Sequence, residues 1–470
     1  MINNIFTTSI TADELTLKDV ADFIRRHVTD DLPRLQRLYN YYCGIQDILT
    51  RKKDDNLSNN QLVVNLCSYI ADFTSGYLLG TPVTYTNPND EKNNSDKSII
   101  QPILDVLKAA DSATQDADLA LDGSIFGRSY EMIYISDTDS ALPKFARLSP
   151  LNAFVVYDDT VEQNPVFGVH YYPVYDASGI QTGYKGTLAT DKYTQSLELN
   201  MGYGIAQTGE PIPHDFGKVP IDEIYNNGQR FGDFERIMSL QDAYNLLQSD
   251  RVNDKEQFVN ALLVIKGAIL GDNNNEKAEA VEALKENRVM ELPNDADAAY
   301  LTRQFDENSV EVLKTSIVND IHKISCVPDM SDQNFAGNTS GVAMKYKLLA
   351  LEQLTKTKER YFAEGLRYRL ECIANVLTSR GAAAFDLANV DIAFKRSLPP
   401  NELESAQLVA QLQGVVPMKQ LYAQLPFITD VDAAMAQLEE EQAAAMQRQA
   451  EMQKALMNIE ANTPLNASDL

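Results

Sequence analysis

The 470-residue sequence predicts an α+β protein, mainly helical. Three observations carry that expectation. Long stretches before residue 122, around 230–260 and over 308–379 repeat apolar residues at steps of three and four, the period of one helix face. A block from about 125 to 226 changes to β-branched and aromatic residues broken by turn residues, the pattern of antiparallel strands. A compact insert at 261–307, reading as strands and one short helix, sits between two of the helices.

Residues 13–50 read as helix, with Asp13 as a candidate cap. Ile24, Leu35, Leu38 and Tyr42 supply its apolar face, and Pro33 starts a second segment. Residues 54–60 (DDNLSNN) are a polar loop. Leu62, Leu66, Ile70, Phe73 and Tyr77 mark the next helix, with Gly80 as its stop and Pro82 just beyond. Residues 87–97 are a second polar loop, and a helix is expected at about 100–122. FGRSYEMIYI, AFVVYDD, VFGVHYYPVYD and YKGTLATDKYTQSLEL supply the strands, so residues 1–226 make a helical layer and a sheet layer.

Helix returns at 230–260, with Phe234, Ile237, Leu240, Tyr244 and Leu247 on one face. In the insert, ALLVIKGAIL reads as a strand, NNNEKAEAVEALKEN as a capped short helix, and RVMELP and AAYLTRQF as further strands. The result is a small module carried on two stalks. The second stalk, 308–326, has a narrow seam of Val310, Leu313, Ile317, Ile321 and Ile324, like that of a packed helix pair. Pro328 ends it. The loop 328–341, PDMSDQNFAGNTSG, carries Gly337 and Gly341, which permit unusual backbone angles. Thr339 or Ser340 can cap the next helix. That helix, from about Ser340 to Ser379, would span about 60 Å. Beyond it come a strand, VDIAFKR, helices at Asn401–Gln413 and near 417–424, and an Ala-, Gln-, Met- and Glu-rich terminal helix over 430–460. The last residues, TPLNASDL, read as a disordered tail.

Composition narrows the function. Lys and Arg number 41 against 67 Asp and Glu, a net charge of −26, and 44% of residues are apolar, enough for a real core. This excludes a disordered chain and a basic nucleic-acid coat. The purely apolar stretches are only a few residues long, too short to span a bilayer. The first twenty residues lack the features of a signal peptide, so a cytoplasmic protein is expected. Cys43, Cys67, Cys326 and Cys372 form no CxxC knuckle and read as small buried hydrophobes. His27, His170, His214 and His322 are scattered. No metal site and no cofactor is expected. There is no GxxxxGK[ST], no GxSxG and no GxGxxG opening a helix, so no enzyme signature holds. Asp158 and Asp159 end a strand and are expected to face solvent. Residues 340–380 carry eight basic and four acidic side chains, a basic rod in an acidic protein. It either touches a polyanion or offsets acidic neighbours through intersubunit ion pairs.

The segment SDQNFAGNTSGVAMKYKLLALEQLTKTKERYFAEGLRYRL resembles the tunnel loop and long helix of portal proteins from tailed bacteriophages. The similarity is greatest to the group typified by portals of long-tailed phages of Gram-positive hosts. LYNYYCGIQDILTR and NNQLVVNLCSYIADFTSGYLLGTPVTY resemble that family's N-terminal block, and FGDFERIMSLQDAYNLLQSDRVND its first stem helix. The resemblance covers about residues 25–400 and implies a portal fold with wing, stem, clip and crown. It implies a wing at 1–226, a wing-to-stem helix at 227–260, a clip at 261–307 and a second stem helix at 308–327. It places the tunnel loop at 328–341, with Asn334, Phe335, Gly337, Asn338, Ser340 and Gly341 as its key residues. It then implies a long channel-to-wing helix at 342–380, a wing return at 381–425, a crown helix at 426–460 and a disordered tail at 461–470.

The family implies a homo-oligomeric ring, usually of twelve subunits, at one capsid vertex of the virion, assembled in the host cytoplasm. Double-stranded DNA passes through its channel during packaging and ejection. Implied partners are the terminase large subunit, a head-completion or tail adaptor protein, and the major capsid and scaffolding proteins; no membrane is involved. Lys345 and Lys347 are candidates for weak, exchangeable DNA contacts. An acidic wall would repel phosphates over about 8 Å and keep the duplex centred, although solubility accounts for the acidity equally well. Two other classes compete: a capsid-associated structural protein without a channel, and a metal-dependent nuclease, which would need a carboxylate cluster.

Overall fold

The computed structural model describes residues 6–54, 57–88, 100–136, 142–259, 262–266, 273–287, 297–301, 307–330, 346–396, 407, 409–422, 425, 431, 434–438 and 440–448. The chain divides into two compact units: 1–332 with 347–397, and 333–346 with 398–470. The first unit is α+β with helix predominating, as the sequence predicts.

Helix α1 (Leu17–Arg26) starts later than Asp13 allows. Its cap is Thr16, which forms a reciprocal capping box with Asp19. A π-turn at His27–Asp31 leads into α2 (Leu32–Tyr42), with Pro33 in its first turn, and a 3₁₀ turn comes next at Asp47–Thr50. The helix expected over 13–50 is therefore one run over 17–42, interrupted by the π-turn, and a separate 3₁₀ turn. Asn65 caps α3 (Leu66–Leu79), which ends at Gly80 and leaves Leu62 outside. The helix expected over 100–122 is two, α4 (Gln101–Ala109) and α5 (Ser112–Phe126). They are separated at Asp111, whose left-handed backbone (φ 51°) no α-helix accepts.

Eleven strands precede residue 226 among the described residues: β1 (Phe6–Thr8), β2 (Thr84–Thr86), β3 (Arg128–Ile135), β4 (Pro143–Leu148), β5 (Ala153–Asp158), β6 (Pro165–Tyr175), β7 (Gln181–Thr190), β8 (Tyr193–Leu199), β9 (Ile205–Thr208), β10 (Ile212–Pro213) and β11 (Ile221–Tyr225). A seven-stranded sheet runs β1-β5-β6-β7-β8-β10, with β9 also on β8; β1 joins β5 in parallel and the rest are antiparallel. A second sheet runs β11-β3-β4.

Alternation along these strands builds layers. Phe154, Val156, Phe167, Val169 and Leu188 on one face of the large sheet pack under α1 with Val20, Phe23 and Ile24. Val155, Tyr157 and Ala189 on the other face meet Tyr130 and Ile221 of the small sheet. The sheets approach closely at Gly168, where an added Cβ would lie 2.7 Å from Ile221 Cβ. The far side of the small sheet packs on helices: Ile224 meets Leu119 of α5 and Leu366 of α9 (Leu349–Ser379). Gly365 lets α9 settle there, since a Cβ would stand 2.5 Å from Ile224. At 31 residues α9 is about 46 Å long. It starts at Leu349 rather than Ser340, and its expected caps, Thr339 and Ser340, lie outside the described residues.

Ion pairs are buried between these layers. Arg369 pairs with Glu131 (2.6 Å) and Asp116 (2.7 Å). Arg128 pairs with Asp31 (2.9 Å), and Arg230 with Glu223 (2.9 Å), which also accepts from Tyr157 Oη (3.0 Å). Of the four cysteines, Cys67 and Cys372 are buried as expected and burial pushes their thiols up. Cys43 is exposed and Cys326 half-exposed, against expectation. Asp159 faces solvent; the half-buried Asp158 closes a turn by accepting from Thr160 and Asn164.

The insert between the two stalk helices, α6 (Met238–Val259) and α8 (Glu307–Ser325), contains β12 (Leu262–Lys266), α7 (Asn274–Asn287) and β13 (Asp297–Leu301). β12 and β13 pair antiparallel, and the strand expected at 288–293 lies outside the described residues. After α9, β14 (Asp391–Ala393) pairs with β2. The second unit contains a short helix at Met418–Tyr422 with Leu421 buried, and helical stretches at 434–438 and 440–448. Most of the helix expected at 401–413, and the tail 461–470, lie outside the described residues.

Candidate functional site

The stalk begins at a clamped root. A 3₁₀ turn, Glu235–Ile237, precedes α6, and Phe234 and Ile237 are fully buried there. Arg34 of α2 grips Glu235 through two bonds (2.8 and 2.6 Å). Lys358 of α9 reaches Asp233 at 2.6 Å. Burial pushes the Asp233 carboxyl up, but Lys358, Thr74 and Asn226 outweigh it and hold the group below the ordinary carboxylate range.

The buried stripe of α6 is not wholly the expected apolar one. Tyr244 is buried, but Leu240 and Leu247 are only half-buried. Gln241, Asn245, Ser249 and Asn253, four polar residues at steps of four, are almost completely buried instead. They hold an extended segment. Asn60 N–H donates to Asn253 Oδ1 (2.7 Å), Leu62 N–H to Ser249 Oγ (3.0 Å) and Val64 N–H to Asn245 Oδ1 (3.0 Å), while Gln241 Nε2 donates to Val64 O (2.6 Å). Leu62 and Val64 stay 39% and 38% exposed. The spacing of Leu62 from Leu66 and Ile70 predicts a helix there; the four-step run of Gln241, Asn245, Ser249 and Asn253 is the signal for an extended partner.

α8 runs back along α6. Arg251 bonds Glu311 at 3.2 Å, and α8 also packs against the 235–237 turn, which together make the pair antiparallel. The expected seam splits. Ile321 is fully buried, Val310 and Ile317 are half-buried, and Leu313 and Ile324 remain 52% and 48% exposed. Val312, outside the seam, is 70% exposed. Past α8, Cys326 turns the chain with φ 59°, Val327 is buried, and Tyr69 Oη donates to Pro328 O at 2.9 Å.

The loop residues Asn334, Phe335, Gly337, Asn338, Ser340 and Gly341, together with Lys345, lie outside the described residues. Lys347 is exposed just before α9. The basic long helix resolves into two populations. Lys358 and Arg369 are buried in ion pairs within the chain, whereas Lys356, Arg360, Arg367 and Arg380 are exposed. Among the described residues no group of three or more His, Cys, Asp or Glu could hold a metal ion, and no helix is long and apolar enough to cross a membrane.

Residues 21–448 match the phage portal protein family of the SPP1 Gp6-like type. The chain is 24% identical over 451 residues to the portal protein of Bacillus phage SPP1, covering 92% of this chain and 84% of that one. It is 21% identical over 446 residues to the portal protein of Clostridium phage phiCD119, covering 87% and 94%. A chain in the solved neck of an empty GTA particle, computed with C6 symmetry, is similar at a TM-score of 0.43 and 15% identity, covering 79% of this chain and 88% of that one.

Proposed function

Since the chain belongs to the SPP1 Gp6-like family of phage portal proteins, a structural and non-enzymatic part of the virion, we propose that it forms a ring of twelve subunits with a central channel for double-stranded DNA. The observation that carries this reading is the split seam of α8. One side is covered by α6 within the chain, while Leu313, Ile324 and the neighbouring Val312 are left exposed. Such an apolar strip calls for a partner, and a closed ring supplies one from the adjacent subunit.

In this reading residues 1–226 are the wing, α6 and α8 the stem, and 261–307 the clip that docks the terminase large subunit and later the tail adaptor. Residues 328–341 are the tunnel loop, 342–380 join channel to wing, 381–425 return to the wing, and 426–460 form the crown. Lys345 and Lys347 touch passing DNA weakly, and the net charge of −26 disfavours tight binding to the wall.

Native mass spectrometry with negative-stain imaging tests the ring. Twelve copies of a 52.4 kDa chain weigh about 630 kDa. A particle near that mass with a central hole supports the reading. A chain that stays monomeric at high concentration with scaffolding protein overturns it. Deleting residues 335–339 should leave rings intact and impair DNA packaging; loss of the rings would make the loop a structural contact instead.

A further inference from the structure

We propose that neighbouring subunits meet through the extended 57–64 segment of one copy and the outer face of α8 of the next, with Leu62 against Leu313 and Val64 against Ile317. The inference rests on the ring reading and adds which surfaces meet.

A ring is built from heterologous contacts, so each subunit must present two different surfaces that fit one another. The stalk has two. The segment lies along the Gln241–Asn253 stripe of α6 and presents Leu57, Leu62 and Val64 outward. α8 lies on a different face of α6, joined through Arg251, and presents Val312, Leu313 and Ile324.

The levels of these surfaces match. Asn253, Ser249 and Asn245 fix the height of the segment, and the Arg251–Glu311 pair sets the height of α8 to within about one helical turn. Both helices rise about 1.5 Å per residue and run antiparallel. Stepping two residues from 251 to 249 corresponds to stepping from 311 to 313, so Ser249, and with it Leu62, is level with Leu313. Four residues further, Asn245 and Val64 are level with Ile317. In a ring whose axis runs along the stalk, rotation preserves height, so surfaces that meet must agree in level, and these do.

The ladder also holds the segment's backbone in place before assembly, so little ordering cost falls on the contact.

The test is disulfide trapping in the full chain. Cys43→Ser and Cys326→Ser remove the accessible thiols, and Leu62→Cys is combined with Leu313→Cys. Each subunit of a ring then presents both partners, and oxidation should give a ladder of covalent multimers on a denaturing gel. Either single variant should give none, and Leu62→Cys with Ile180→Cys, on a remote hairpin, should also give none. In parallel, Leu62→Asp or Leu313→Asp should lower the ring fraction about tenfold or more, because an unpaired carboxylate is buried at the contact, with monomer circular dichroism unchanged. Leu62→Asp with Leu313→Lys should recover it. Rings that form without the 62/313 ladder, or that tolerate both Asp variants, overturn this interface and leave the ring standing. An unmodified chain that never forms rings overturns the ring reading and the interface with it.

Discussion

Asn245 accepts the backbone N–H of Val64 at 3.0 Å and donates its own amide to Gln46 Oε1 at 2.5 Å, both on a fully buried helix face. A helix here does what a neighbouring strand usually does. Alternate residues of an extended chain lie about 6.6 Å apart, and every fourth residue of a helix about 6.0 Å. Four short polar side chains at steps of four therefore satisfy successive backbone groups of a segment that joins no sheet. These bonds tie the segment before α3 to α6, so the proposed stem and the N-terminal block form one body.

Asn245→Ala should expose the worth of that ladder. It leaves Val64 N–H and the Gln46 side chain without this partner in a dry site, at an expected cost of about 1–3 kcal/mol. Ser249→Ala removes the single bond from Leu62 N–H and should cost about 1 kcal/mol. Urea unfolding measures both. Unchanged midpoints would mean the segment is held by something other than these bonds.

Lys358→Met should be worse than either. It strands the buried Asp233 carboxylate, an expected loss of about 3–5 kcal/mol. The double variant Lys358→Met with Asp233→Leu removes both charges and should recover much of that loss. Because the folded pKa of Asp233 is depressed, its contribution is fully present above about pH 4 and is lost as the pH falls through the folded value. An acid-unfolding series that is unchanged in the double variant would contradict this.

Much of the architecture was legible because its signals are local. Gly80 ends α3, Pro33 opens α2, and Pro328 comes within three residues of the end of α8. The apolar periodicity of 100–122 does not mark the break at Asp111; the one local cue is that Asp tolerates the left-handed region and favours helix starts. The buried ion pairs were legible in part. Arg128, Ser129 and Glu131 stand among the Tyr, Met and Ile residues of one strand, and Asp222 beside Glu223 must place one carboxyl on each face of β11. Their partners, Asp31 and Arg369 among them, come from distant segments and no local pattern announces them. The long helix read as a basic rod because charge counting cannot tell exposed Arg360 and Arg367 from buried Lys358 and Arg369.

Asp222 should set a pH dependence of opposite sign to that of Asp233. It lies directly across from Glu131 in the β3–β11 pair, on the side facing Gly365 of α9, and its Oδ2 has no hydrogen-bond partner. Burial, then Glu131 and Glu223, raise its carboxyl well above the ordinary range; Arg369 opposes this but is already shared by Glu131 and Asp116. Burial also raises Asp116 and Glu131. The folded chain therefore holds a proton at Asp222 that the unfolded chain releases near pH 4. Its contribution to stability is complete below that value and is lost as the pH rises toward the folded pKa. Asp222→Asn keeps the shape and removes the titration. Relative to the parent it should gain stability as the pH rises above about 4, by at most about 1.4 kcal/mol per unit, and show little difference at pH 3. Thermal unfolding of both proteins from pH 3 to 8 checks this. A difference that shrinks with rising pH would mean Asp222 is ionised in the fold and Arg369 is its partner.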